Sequence, residues 1–193
     1  TNREAKYEIT VKANSATATY DGKEHEAVGV ETYEFTVEGN SYTVSGLSTE
    51  DPKQKDAGSY TNNITGTPVV TDKEGNVVTS EFEVKTENGS LEIGKAAVTL
   101  KSATLSKKYD GNALVNGDTA LEVESGFAEG EGATYNFTGS QTVVGSSANA
   151  FSYELNSNTN IDNYEISKQE GTLTVTNREA KYEITVKANS ATA

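Results

Sequence analysis

Across 193 residues, 16 basic side chains face 29 acidic ones, leaving a net charge of −13. That balance excludes a phosphate-neutralising nucleic-acid surface and disfavours anionic membranes, and no run of about 18 apolar residues is present for membrane insertion. Cys, Met and Trp are all absent, which removes disulfides, thiolate metal sites and cysteine nucleophiles and leaves nothing with a thiol or thioether for oxidants to damage.

Leu, Ile, Val and Phe total 36 residues, just under the one-fifth level that flags disorder. Order along the chain overrides that flag. Tyr7, Ile9, Val11 and Ala13 alternate with polar residues, which marks a strand with one buried face. Tyr20-Asp21-Gly22 follows as a turn: the Asp carboxylate can cap it and the Gly can take φ > 0. The Tyr can bury its ring and keep its hydroxyl at a wet edge. His25, the only histidine, lies just beyond. A second alternating strand carries Tyr33, Phe35 and Val37. Residues 48–58 are polar, and Pro52 and Pro68 suit loop or strand-start positions. Val69-Val70-Thr71 and Val77-Val78-Thr79 flank Asp72-Lys73-Glu74-Gly75-Asn76, a hairpin pattern with Gly75 available for a left-handed position. Asn88-Gly89, between Val84 and Leu91, is a two-residue hairpin signal. Further on, Phe151, Tyr153 and Leu155 repeat the alternation. No segment keeps a helical period over three turns.

Residues 1–18 and 176–193 are the same eighteen letters, TNREAKYEITVKANSATA, 175 positions apart. The chain therefore reads as one full period of an array plus the opening of a further copy. A weaker echo divides the period. Ile9-Thr10-Val11-Lys12 leading to Tyr20-Asp21-Gly22 is answered 89 positions later by Val98-Thr99-Leu100-Lys101 leading to Tyr109-Asp110-Gly111. Phe82-Glu83-Val84 with Gly89 to Ile93 is answered by Tyr164-Glu165-Ile166 with Gly171 to Val175. The organisation expected is the end of a preceding repeat at 1–4, a β module at 5–94, a second at 95–178, and at 179–193 the opening strand of the next copy. That last strand, lacking its module, would dangle, pair with module two or pair with another molecule through an exposed edge. The fold class is all-β: two tandem elongated modules, each a sandwich or grasp-like sheet, placed end to end. Junctions of a few residues without Gly/Ser or Pro tethers favour a stiff string.

Together, Ala18 to Lys23, Lys107 to Asn112, Asp56-Ala57-Gly58-Ser59-Tyr60, the looser Val144 to Ser147 and Gly171 to Thr176 resemble the YDG/MBG-type tandem repeat modules of large surface adhesins of bacteria, particularly Gram-positive ones. The resemblance covers nearly the whole chain through short motifs whose order and spacing carry it. It implies an extracellular, cell-wall-linked repeat region and supplies neither a ligand nor a catalytic residue.

Candidate chemistry weighs less than its structural alternatives. His25 has Leu114 as its counterpart in the second module, so the repeat does not require it, and no nucleophile elbow surrounds any Ser. The pairs Glu81/Glu83, Glu122/Glu124 and Glu129/Glu131 would each share a strand face, and a solvated acidic face is the ordinary reading. Calcium is the one cofactor for which ligands are at hand. Asp72, Glu74 and Asn76 alternate oxygens in one loop, as do Asn158, Asn160 and Asp162 in another. Neither has EF-hand spacing, and both read more simply as turns. Lys12, Lys101 and Asn177 raise the idea of a Lys–Asn cross-link, without an identifiable buried acid. The sequons at Asn63, Asn88 and Asn136 read as accidents of composition. The expectation is a non-catalytic repeat unit of a stalk that projects a distal binding region, its partners being adjacent repeats. The alternative is a repeat that itself binds host glycoprotein or carbohydrate. Exposed Tyr clusters would favour that alternative, and the lack of a Trp platform counts against its carbohydrate form.

Overall fold

The computed structural model describes residues 5–118, 120–179 and 183–189. Its regular structure is all strand apart from two single 3-10 turns at Thr79–Glu81 and Ile161–Asn163. Ten strands belong to the first sequence module: β1 (Tyr7–Lys12), β2 (Ala16–Thr19), β3 (His25–Glu26), β4 (Glu34–Val37), β5 (Asn40–Thr49), β6 (Lys53–Gln54), β7 (Gly58–Asn62), β8 (Ile64–Asp72), β9 (Phe82–Glu87) and β10 (Gly89–Gly94). Ten more follow: β11 (Ala96–Lys101), β12 (Leu105–Lys108), β13 (Leu114–Val115), β14 (Val123–Ser125), β15 (Ala133–Phe137), β16 (Ser140–Gln141), β17 (Gly145–Ala148), β18 (Phe151–Leu155), β19 (Tyr164–Gln169) and β20 (Thr172–Thr176).

Two compact units divide the chain. The first holds Thr1–Ala97 together with Gly126–Glu131 and Asn160–Glu165; the second holds Val98–Ser125, Gly132–Thr159 and Ile166–Ala193. The units thus divide the chain differently from the sequence repeats, because residues 95–97, 126–131 and 160–165 of the later repeat group with the first unit. The expected segment 1–4 lies outside the described residues.

In the first unit, β1 pairs in parallel with β9, and β2 in parallel with β10, which also pairs antiparallel with β7. Partners are 75 positions apart in both parallel ladders, Tyr7 with Phe82 and Ala16 with Leu91. One parallel strand pair therefore leaves the first sheet and enters the second without a slip in register. It bends at Ala13–Ser15 on one strand and Asn88 on the other. The backbone bonds Ala13 N–H to Glu87 O (2.9 Å) and Tyr20 N–H to Gly94 O (2.8 Å) each extend one of the two ladders past its C-terminal end. A three-stranded sheet, β4-β5-β8, completes the unit's main core. There Ile9, Val11, Val44, Val70 and Phe82 are buried, with Tyr7, Phe35, Tyr42 and Val84 packed around them. The alternation read at Ile9, Val11 and Ala13 is the buried face of β1 and its continuation. Complete burial of side chains of this size contributes about 1.5–3 kcal/mol each.

The second unit repeats the arrangement. β11 lies between β14 and β19, and β12 pairs in parallel with β20, which also pairs antiparallel with β17. Val98, Leu100, Phe151, Leu173 and Val175 are its buried apolar side chains.

Three local expectations change. Asn88-Gly89 does not turn a hairpin, because β9 and β10 run on into different sheets, each beside its own parallel partner. Asn88 supports that bend: its side-chain oxygen accepts from Ile64 N–H at 2.9 Å and its amide donates to Asn63 Oδ1 at 2.8 Å. Pro68 lies inside β8 instead of at a strand start. Its neighbours Gly66 and Val69 pair with Leu47 and Ser45 across an irregular step, so the missing N–H falls in a bulge and costs no ladder bond. The second arm, 77–79, expected for the hairpin around 72–76 shortens to a Thr71–Val77 bridge and a Val78 N–H to Val70 O bond, after which Thr79 enters the 3-10 turn. The turn itself forms as read, with Gly75 at φ +89.

A buried asparagine braces each bend. Asn62 donates to Asn14 O at 3.1 Å and accepts from Asp51 N–H at 3.0 Å. Asn149 donates to Ala103 O at 2.9 Å and to Asn116 Oδ1 at 2.8 Å. Both are fully buried, where unpaired backbone groups would be costly.

Candidate functional site

The two Tyr-Asp-Gly segments form the turns their residues suggest. Asp21 Oδ1 accepts from Lys23 N–H and Asp110 Oδ1 from Asn112 N–H, each at 2.9 Å, while Gly22 and Gly111 take φ of +79 and +86. The Lys23 N–H, then the His25 ring, hold the Asp21 carboxyl below the usual carboxylate range. For Asp110 the larger cause is the Lys107 side chain, followed by the Asn112 N–H.

Of the two motif tyrosines, Tyr20 departs from the wet-edge expectation. Tyr109 is half-buried, but Tyr20 is only 4 % exposed and its hydroxyl donates to Glu131 Oε1 at 2.6 Å. Tyr164 donates to the other oxygen, Oε2, at 2.8 Å and accepts from Ala128 N–H at 3.0 Å. The Tyr20 and Tyr164 rings meet edge to face at 5.3 Å, and Phe127 packs on Tyr164 at 5.2 Å. Lys55 Nζ stands 4.0 Å from Glu131, whose side chain is 6 % exposed. Next to this centre, Asn163 donates to Asp56 Oδ1 and accepts from Ala57 N–H, both at 2.8 Å. The whole cluster belongs to the first compact unit.

This arrangement overturns the strand-face reading of Glu129 and Glu131. They lie in a tight loop, closed by the Glu131 N–H to Ala128 O bond (3.0 Å) with Gly130 at φ +79, so the exposed Glu129 and the enclosed Glu131 do not share a surface. Glu131 is the polar centre of the unit, and nothing in its Glu/Gly-rich surroundings distinguishes it from a solvated glutamate. Chemically, the carboxylate already has a phenol donor on each oxygen, an arrangement that fixes loops together through charge-assisted hydrogen bonds.

Burial, followed by the Glu131 carboxylate, pushes the Tyr20 phenol well above its usual value. Burial is likewise the largest cause raising Tyr164. The fold therefore favours both neutral phenols. Their contribution is complete below the ordinary phenol value of about 10 and is lost as pH climbs through the raised folded values. Denaturation midpoints should accordingly fall as pH rises above about 10, and fall less steeply in Tyr20→Phe. Equal slopes for the two chains would remove Tyr20 from the account.

The remaining candidates are separate. His25 Nε2 lies 2.9 Å from Asp21 Oδ1 at the surface; Leu114 occupies the matching short strand β13. Glu122 pairs with Lys101 at 2.8 Å, Glu81 ends a 3-10 turn, and Glu83 lies in β9. In the loop of Asp72, Glu74 and Asn76, Asp72 Oδ1 accepts from Glu74 and Asn76 N–H at 3.0 and 2.8 Å. Its Oδ2 accepts from the Asn76 amide at 2.9 Å. Asn76 thus presents a donor to Asp72, and the loop closes on itself as a turn. Asp162 gives its N–H to Asn160 Oδ1 at 3.0 Å at the start of a 3-10 turn. No group of three or more His, Cys, Asp or Glu suited to a metal ion occurs among the described residues. Lys12 pairs with Glu87 at 2.8 Å, and both Lys12 and Lys101 keep partly exposed side chains facing glutamates.

The nine described tyrosines comprise two buried, Tyr20 and Tyr164, and seven half-buried ones. A depression of about 390 Å³ is lined by Glu34 and Phe35 of β4, Thr43 of β5, and Thr32 and Lys73 just outside the strands. No helix among the described residues is long and apolar enough to cross a membrane. No protein-family model, curated protein or solved structure matches this chain.

Proposed function

We propose that this chain is a structural repeat unit of a bacterial cell-surface adhesin, of the YDG/MBG type, whose copies form a stiff stalk that projects a distal binding region from a Gram-positive cell wall. The observation that carries the reading is connectivity. The last strand of the first sequence module, β10, leads into the first strand of the second, β11, through Lys95 alone. A junction with no Gly/Ser- or Pro-rich tether is what a stiff string of modules requires. Exact duplication of eighteen residues supports the same view, because copying a unit lengthens a stalk, whereas a catalytic site gains little from it. The net charge of −13 would keep neighbouring arrays apart.

Small-angle scattering from one, two and three concatenated 175-residue periods tests the proposal, with calcium and with a chelator. Maximum dimension should increase linearly with copy number under both conditions. Growth nearer the square root would overturn the stalk reading and favour the alternative, in which each repeat is a receptor for host glycoprotein or glycan. Among the described residues no tyrosine is in the exposed class, which counts against that alternative.

A further inference from the structure

The order of strands along the chain fixes how tension on the backbone reaches each unit. In the first unit, β1 and β2 form the arm by which the chain enters, and β9 and β10 the arm by which it leaves. The arms are parallel, with Tyr7 opposite Phe82 and Thr19 opposite Gly94. The start of the entering arm and the end of the leaving arm therefore lie at opposite ends of the paired stretch. A pull on the chain from both sides slides one arm along the other and loads the ladder bonds together. In an antiparallel pair those two points share one end, and the bonds open one at a time.

More than the ladders resists sliding. Lys85 meets Glu8 at 2.6 Å and Lys12 meets Glu87 at 2.8 Å, both across the arms. Ile9, Val11 and Phe82 anchor the arms in the core. At the bend, Ser90 N–H donates to Ser15 Oγ at 3.0 Å, and a Cβ on Gly89 would stand 2.2 Å from Asn14 O. A shared kink this tight must straighten before either arm can move along the other. The intervening strands β4, β5 and β8 pair antiparallel and carry no load while the arms hold. In the second unit β12 runs parallel to β20, Ser102 N–H donates to Gln169 O at 3.1 Å, and Gly171 takes the place of Gly89. Lys95 alone joins β10 to β11, so tension leaving one pair of arms enters the next.

We propose that the paired arms of each unit are a tension-bearing clamp, by which this chain transmits load without unfolding. The proposal deepens the stalk reading and rests on it for the source of the load. The test uses the full chain, whose lack of cysteine lets pulling handles be placed by substitution. Ala5→Cys with Lys95→Cys pulls the arms along each other. Ala5→Cys with Glu81→Cys pulls at one shared end and peels β1 from β9. All three positions are exposed. At one loading rate in optical tweezers, the first pair should rupture at a force at least about twofold higher than the second, because both ladders must break together. Global stability is common to the two geometries and cancels from the ratio. Rupture of the first pair should release the stretch from Tyr7 to Gly94 in one step, about 300 Å of extended chain. A smaller ratio, or release in small successive steps, would overturn the clamp. Failure of the stalk is read separately: square-root growth in scattering with the higher shear force removes the stalk and keeps the clamp, and linear growth with equal forces does the reverse.

Discussion

Gly89→Ala should destabilise the first unit by about 3–5 kcal/mol, a large share of the total stability of an ordinary domain. At the bend where two parallel strands change sheets together, a Cβ on Gly89 would lie 2.2 Å from Asn14 O and 2.8 Å from Ala13 O. Those atoms are backbone, and Asn14 O is held by Asn62, so no side-chain rotation relieves the clash. Gly171→Ala should do the same in the second unit, where a Cβ would meet Ala103 O at 2.2 Å and Ser102 O at 2.5 Å. Gly117→Ala is the control: nothing lies within 4 Å of its would-be Cβ, and the change should stay within about 0.5 kcal/mol. Guanidinium denaturation read by amide exchange separates the two units. A shift for Gly89→Ala no larger than for Gly117→Ala would show that the strands need not pass so closely.

The second large effect is expected at the enclosed carboxylate. Tyr20→Phe removes a 2.6 Å bond to Glu131 and should cost about 1.5–3 kcal/mol, the range for hydrogen bonds to charged groups. Glu131→Ala leaves the Tyr20 hydroxyl buried without its acceptor and takes from Tyr164 the acceptor of its proton; about 2–4 kcal/mol is expected. Because both changes delete the same interaction, the double variant should fall short of the sum by at least about 1 kcal/mol. Additive losses would mean that Tyr20 and Glu131 do not act as a unit, and would remove the polar centre from the account of how residues 126–131 are held in the first unit.

Elements whose information is local were legible in the sequence. Ile9, Val11 and Ala13 announce a buried strand face because side chains alternate across a sheet, and they are buried. Asp21-Gly22 and Asp110-Gly111 form their turns because the carboxylate and the glycine φ act within two residues. Asn62 and Asn149 could have been found: with Gly58 aligned to Gly145, they fall at the same place in the repeat. No comparable signal marks Glu131. The pair Glu129 and Glu131 looks solvated in a chain this acidic, and the phenols that enclose Glu131 come from positions 20 and 164.

By itself, the sequence determined the all-β class, the alternating buried faces, the turns and the duplication, since each depends on contacts between near neighbours or on identity of letters. Tertiary structure decided the rest. Asn88-Gly89 has hairpin chemistry, yet β9 and β10 already have parallel partners 75 positions away, and the energy of those two ladders outweighs a local turn preference. Likewise the same strand sequence is buried at Ile9 and Val11 and exposed at Ile184 and Val186. A strand's pattern states which face wants covering; only a neighbour from elsewhere in the fold can cover it.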